Sequence, residues 1–272
     1  MPIDFSPYAA VLLDLDGTIY HEDHPLPGAI PLIRFLQQKG QPFACLSNST
    51  SSPQRITTRL RTMGLDLHPE QIYTAAAAAC DYVVAHAPTK GTKPRIFNLS
   101  TEAVGEMLEG SVDWVRTGTE PCDVIIVGAP TNVFATEDRQ RIALQLARAG
   151  ALVLGICADR VYPSPRGIEF GAGALSHMLA YAAGVVPVFT GKPQEIFFRE
   201  LCRRLHVDPA HCLLVGDNLE SDVLGAKAVG MRTILTLTGV ARREELLLLP
   251  KERQPDQVVK DLNELLQRLV RK

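Results

Sequence analysis

The feature that most constrains this fold is a recurring unit: a short, uninterrupted apolar run, a polar loop, then a helical pattern. The first run is Ala9-Ala10-Val11-Leu12-Leu13, and a run without polar interruption describes a strand buried on both faces. Pro27-Gly28 then opens a helix that Gly40 closes, and Pro42-Phe43-Ala44-Cys45-Leu46 reads as the next strand. Ser52-Pro53 pairs an N-cap with proline at the first helical position, and Gly64 follows the end of that helix. Further strands are expected at Arg95–Leu99, Val124–Val127, 151–156, 186–189, 212–215 and 233–237, with helices near 194–205, 221–229 and 261–271. Such alternation needs crossovers between parallel strands. The expected class is therefore α/β, a Rossmann-like, doubly wound parallel sheet with helices on both faces.

The chain has 272 residues, more than the ~150 of a typical domain, so one large or two modest domains are expected. A net charge of -2, from 28 basic and 30 acidic residues, argues against a nucleic-acid partner. No apolar run approaches the ~18 residues of a membrane span. The first residues, Met1-Pro2-Ile3-Asp4-Phe5-Ser6-Pro7, lack the basic and apolar regions of a signal peptide, so a cytoplasmic location is expected. The six cysteines are scattered with no CxxC pair, which fits reduced, buried thiols. Cys202, His206, His211 and Cys212 cluster in sequence but lack the two tight pairs of a zinc finger and read as a helix end, a turn and a strand. His21-Glu22-Asp23-His24 reads as a solvated loop, His177 as a helix-face residue, and Trp114 as core packing.

In an open parallel sheet, ligands bind beyond the carboxyl ends of the strands, and four polar segments follow apolar runs. Asp14-Leu15-Asp16-Gly17-Thr18 puts two carboxylates, two residues apart, at the first strand end. Such a pair repels unless a proton or cation is shared, which makes Mg²⁺ reasonable. Ser47-Asn48-Ser49-Thr50 offers hydroxyls, an amide and backbone N–H groups ahead of a helix, the parts of a phosphate cradle. Thr190-Gly191-Lys192-Pro193 supplies one lysine; the proline after it rules out a Walker A loop. Gly216-Asp217-Asn218-Leu219-Glu220-Ser221-Asp222 repeats the acidic logic of the first segment.

In this order, each after a strand, the four segments resemble the motifs of the haloacid dehalogenase-like hydrolases. That superfamily uses a DxD nucleophile, a Ser/Thr, a lysine and a GDxxxxD-type acidic motif. Pro25-Leu26-Pro27-Gly28, Cys122-Asp123-Val124-Ile125-Ile126-Val127-Gly128, Gly171-Ala172-Gly173-Ala174-Leu175, Gly191-Lys192-Pro193 and Gly216-Asp217-Asn218 are similar to segments of its NagD-like, 4-nitrophenylphosphatase-like class IIA branch. The resemblance implies a core domain over 1–78 and 187–272, with an α/β cap domain over 79–186 inserted between motifs two and three. It implies an Mg²⁺-dependent phosphatase of a small phosphorylated metabolite (a sugar phosphate, nucleotide or similar phosphomonoester) working through an aspartyl-phosphate. In that scheme Asp14 is the nucleophile and Asp16 the general acid and base. Asp14, the backbone carbonyl of Asp16, and Asp217 hold Mg²⁺, while Ser47, Asn48 and Lys192 bind phosphate. Thr18, Asn218 and Asp222 support the metal or Lys192. Dimerisation through the cap is open to it, since related enzymes often associate that way.

A phosphomutase is the competing enzyme reading, but mutases of the superfamily usually carry their cap after motif one, where the stretch from Asp16 to Cys45 is too short. Dehalogenases lack the second aspartate. A catalytically retired binding protein would be expected to have lost one of Asp14, Asp16, Lys192 or Asp217, and all are present. One departure lies in the cap. Where the branch commonly shows alanine-threonine-asparagine-x-aspartate, this chain reads Gly155-Ile156-Cys157-Ala158-Asp159, placing two non-polar residues near a loop expected to face the site. That loop, 157–170, is expected to set specificity, with Asp159, Arg160 and Arg166 as substrate-binding candidates and the arginines suited to a second anionic group.

Overall fold

The computed structural model describes residues 2–86, 92–129, 136–164, 167–246 and 249–269. The chain divides into two compact units. One comprises residues 1–47, 53–73 and 192–272, and the other 48–52 and 74–191. The chain is α/β throughout, as its alternation of apolar runs and helical patterns requires.

The first unit is built on a six-stranded sheet in the order Gln257–Val259, Arg232–Thr236, Cys212–Gly216, Ala10–Asp14, Phe43–Ser47, Ile72–Thr74. All five residues are buried in each of Ala10–Asp14, Phe43–Ser47 and Cys212–Gly216, which is why these strands read as unbroken apolar runs rather than as alternation. Ala10–Asp14 pairs in parallel with strands on both sides, Leu13 opposite Val215 and Asp14 opposite Leu46. From this strand the early chain runs outward one way and the late chain the other, so the topological switch point lies between Ala10–Asp14 and Cys212–Gly216. The first helix, Ala29–Lys39, buries Ala29, Leu32, Ile33 and Leu36, the i, i+3, i+4, i+7 stripe of an amphipathic helix. Gly40 ends it in the left-handed conformation, with its N–H on the Gln37 and Leu36 carbonyls. Leu32 and Leu36 pack with Val11, Leu13, Ile56, Leu60 and Val215 in the main core; truncating a fully buried leucine such as Leu36 costs about 2–5 kcal/mol.

The second unit has a five-stranded parallel sheet in the order Val188–Phe189, Leu152–Gly155, Val124–Val127, Arg95–Leu99, Asp113–Trp114. Helices Glu137–Arg148 and Ala172–Ala183 pack their Ala143, Leu146, Leu175 and Leu179 against Phe97, Leu99, Ile125 and Val127. Five consecutive alanines, residues 75 to 79, form the buried start of helix Ala75–Ala85, capped by the Thr74 hydroxyl, which accepts from the Ala77 N–H at 3.1 Å.

The structure refines several expectations. The segment 157–170 is not a connecting loop: Val161–Ser164 and Gly167–Phe170 pair as an antiparallel hairpin. Its prolines suggested a loop, but a two-stranded ribbon is all edge, and an edge tolerates proline; the Ser164 hydroxyl donating to Glu169 at 2.6 Å ties the two strands. Ile156 and Cys157 are buried, with the Ile156 N–H on the Val127 carbonyl at 2.9 Å, so their apolar character serves packing. The strand expected from 186 begins at Val188, since Val186 is 83% exposed. Trp114 is only partly buried, in a two-residue edge strand.

Candidate active site

Asp14, the last residue of its strand, is buried, as are Lys192, Asp217 and Asp222. Asp14 and Asp217 leave the neighbouring strands Ala10–Asp14 and Cys212–Gly216, Asp222 follows Asp217 in the next turn, and Lys192, ahead of helix Glu195–Leu205, joins them from a third segment. Lys192 is 4% exposed, and its ammonium is held between Asp14 and Asp222, donating to Asp222 Oδ1 at 2.6 Å. The other Asp222 oxygen accepts the Asn218 N–H at 3.1 Å. Asn218 also caps the following turn, its side-chain oxygen accepting from the Glu220 and Ser221 N–H groups. That turn, Leu219–Leu224, is wound wider than an α-helix before it tightens into Gly225–Ala228.

Asp217 is held from three directions. Thr18 donates to its Oδ1 at 3.3 Å, the Val240 N–H to Oδ2 at 2.7 Å, and the Ala241 N–H to its backbone carbonyl at 3.1 Å. The close approach explains two glycines. A Cβ at Gly239 would lie 1.9 Å from Asp217 Oδ2, and one at Gly17, where φ is +87°, would lie 2.6 Å from the same atom.

Burial pushes the Asp14 carboxyl up to about 6, with Lys192 opposing and Asp217 adding to the rise. Burial also pushes Asp222 up to about 6, with the charge of Asp14 adding to it. Asp217 is raised too, chiefly by burial. Burial alone would lower the Lys192 ammonium, but the carboxylates of Asp14 and Asp222 outweigh it and raise the value. Lys192 therefore stays charged across the neutral range.

Asp14, Asp217 and Asp222 offer carboxylate oxygens within 4.8 Å of one another, the one such group of potential metal ligands among the described residues. Asp222 is taken up by the Lys192 ammonium and the Asn218 N–H, whereas the donors on Asp217, the Thr18 hydroxyl and the Val240 N–H, are neutral, so Asp217 together with Asp14 is the pair that would hold a cation. A hard cation suits it: the donors are all oxygen, and two facing carboxylates repel without a positive charge between them.

The other sequence-derived candidates are placed as follows. Asp16 has an exposed side chain on the loop after Asp14, and its carboxylate is not in the acidic group. Ser47 ends the Phe43–Ser47 strand and is buried, while Asn48, half-buried, opens the short stretch belonging to the second unit. Asp159 and Arg160 are exposed just ahead of the hairpin; Arg166 lies outside the described residues. Sequence reasoning missed the segment Thr236-Leu237-Thr238-Gly239-Val240, which supplies the backbone donor to Asp217. Its signal was available, because it too follows an apolar strand at the same end of the sheet.

The pattern describing haloacid dehalogenase-like hydrolases matches residues 11–111, and a second HAD-like pattern matches 189–265. An acid sugar phosphatase of Staphylococcus aureus is 32% identical over 263 residues, covering 96% of this chain and 98% of the relative. The chain belongs to the haloacid dehalogenase-like hydrolases. NagD from E. coli K-12 superposes with a TM-score of 0.82 at 25% identity, over 94% of this chain and 98% of that one. A glycerol phosphate phosphatase from Mycobacterium tuberculosis, solved in complex with magnesium, superposes with a TM-score of 0.85 at 26% identity, over 97% and 79% of the two chains. The chain is on the NagD-like branch and is an enzyme of the phosphatase class. Among the described residues, no helix is long and apolar enough to cross a membrane.

Proposed function

We propose that this enzyme is a magnesium-dependent phosphatase of small sugar or polyol phosphates that passes the phosphoryl group to Asp14 and then to water. The observation that carries the reading is the buried Asp14–Lys192–Asp222 array with Asp217 beside it at the switch point of the sheet. The similarity to an acid sugar phosphatase of S. aureus and a glycerol phosphate phosphatase of M. tuberculosis supports the substrate class.

Above about pH 6 Asp14 is an anion, as a nucleophile must be. Lys192, charged and fixed by Asp222, offsets the negative charge of an incoming phosphate next to it. The Ser47 hydroxyl and the Asn48 N–H hold further phosphate oxygens. An Asp14 oxygen attacks phosphorus and the bond to the substrate oxygen breaks, with Asp16 giving that oxygen its proton. Asp16 then takes a proton from water, whose oxygen attacks phosphorus. The bond to Asp14 breaks, and inorganic phosphate and a free Asp14 carboxylate result. Asp14 and Asp217, with the Asp16 carbonyl, would hold Mg²⁺, which supplies the charge neutralisation an anion needs to approach a phosphate dianion.

Phosphate release should be followed with a panel of sugar and polyol phosphates, nucleotides and 4-nitrophenyl phosphate. Turnover that stops in EDTA and returns with added Mg²⁺ is expected, with sugar or polyol phosphates turned over best. Full activity in chelator would sink the metal assignment, and a clear preference for nucleotides would sink the substrate class.

A further inference from the structure

The Asp16 side chain is exposed, so its aim toward a leaving group must be set through the backbone of its loop. Gly17, the next residue, is held at both of its peptide groups. Its N–H donates to the Tyr20 carbonyl at 2.8 Å. Its carbonyl accepts the Thr238 hydroxyl at 2.6 Å, across 221 residues of sequence. The Thr236 hydroxyl lies 2.9 Å from that of Thr238.

Counting hydrogens fixes the direction of this chain. A carbonyl only accepts, so the one hydroxyl hydrogen of Thr238 is committed to Gly17. Thr236 must then donate to Thr238, and its single hydrogen cannot also serve the Gly216 carbonyl 3.5 Å away. Thr236 is fully buried and Thr238 half-buried. The result is a directed relay, Thr236 to Thr238 to Gly17, from the end of the Arg232–Thr236 strand into the loop that carries Asp16. Polarised chains of this kind strengthen each member.

We propose that Thr238 is a positioning residue for the acid–base step: its hydroxyl fixes the Gly17 peptide and thereby aims Asp16 at the departing oxygen. The inference rests on the assignment of Asp16 as general acid made above. Thr238 touches neither substrate nor the reacting atoms. Its loss should mimic a partial loss of Asp16 while leaving Asp14, Lys192 and Asp217 in place.

The test compares kcat/KM for 4-nitrophenyl phosphate and for an alkyl phosphate, because that ratio reports the step in which the leaving oxygen departs. A nitrophenolate leaves with little need of a proton, whereas an alkoxide needs one. Thr238→Val keeps the shape and removes the donor; Thr238→Ser keeps the donor. Removing one such hydrogen bond should lower kcat/KM for the alkyl phosphate about tenfold and for 4-nitrophenyl phosphate less than about twofold. Thr238→Ser should restore the alkyl phosphate rate, and Asp16→Asn should show the same selectivity more strongly. Equal losses on both substrates in Thr238→Val, no loss on either, or no rescue by serine would each overturn the positioning role. Should Asp16→Asn itself lose both substrates equally, the general-acid assignment fails and takes the inference with it. If Asp16→Asn discriminates and Thr238→Val does not, only the inference fails.

Discussion

Lys192 is a buried cation between two buried anions, and its removal makes a quantitative test of the site. Lys192→Met leaves Asp14 and Asp222 without the one positive charge held between them. Breaking a buried ion pair by removing one partner costs about 3–5 kcal/mol, which at ~2–4 °C per kcal/mol lowers the melting temperature by roughly 10 °C. The loss must depend on pH. Both carboxyls already titrate near 6 with the lysine present, and removing it raises them further. Their folded values then lie well above the ordinary 3.8, so the folded state binds more protons than the unfolded state over that interval. Stability is therefore retained at low pH and lost as pH rises through the folded values. Thermal unfolding in EDTA should show a small penalty for Lys192→Met at pH 5 and the full one at pH 8. Adding Asp222→Asn to Lys192→Met removes one of the stranded charges, so the double variant should be about 1–3 kcal/mol more stable than the sum of the single losses predicts. A penalty that is the same at both pH values, or strict additivity, would refute the idea that these three groups form one electrostatically coupled unit.

Other consequences follow from the same geometry. Because the Asp14 carboxyl titrates near 6, Mg²⁺ and a proton compete for it. Calorimetry in buffers of different ionisation enthalpy should detect a proton released on Mg²⁺ binding at pH 5.5 and almost none at pH 8, with affinity falling as pH drops. Gly239→Ala would put a Cβ 1.9 Å from Asp217 Oδ2. It should cut kcat about tenfold or more by displacing that carboxylate and shrink the Mg²⁺-induced rise in melting temperature, both readable on one preparation. Arg160→Ala, at an exposed position ahead of the hairpin, should raise KM for substrates with a second anionic group while kcat for 4-nitrophenyl phosphate stays the same. Unchanged relative rates across the substrate panel would remove Arg160 from specificity.

Much of the fold was legible because its strands are buried on both faces, so they appear in sequence as short apolar runs closed by a polar residue. Val124–Val127 and Arg95–Leu99 occur at the expected positions, and the first strand is shifted by one residue, to Ala10–Asp14. Where burial is incomplete the sequence was less informative. The hairpin alternates exposed Val161, Ile168 and Phe170 with prolines that resemble loop punctuation, and Asp113–Trp114 is too short to show any period. The wide turn Leu219–Leu224 begins two residues ahead of the helix expected from 221, and the Asn218 side chain before it accepts two N–H groups. In the candidate site, Asp14, Lys192, Asp217 and Asp222 were legible as polar residues after apolar strands. The contacts made by Thr238 and Val240 were not, because a hydroxyl and a backbone N–H acquire a role only through partners that folding brings from the other end of the chain.

The proposed mechanism requires that Asp14 carry the phosphoryl group. Single-turnover reaction with a sugar phosphate and Mg²⁺, quenched in acid and treated with borohydride, reduces an acyl phosphate to the alcohol, which converts the modified aspartate to homoserine. Peptide mass spectrometry should then find homoserine at position 14 and nowhere else, rising and decaying with turnover and absent in Asp14→Asn. Homoserine at a different aspartate, or none during rapid turnover, would contradict it.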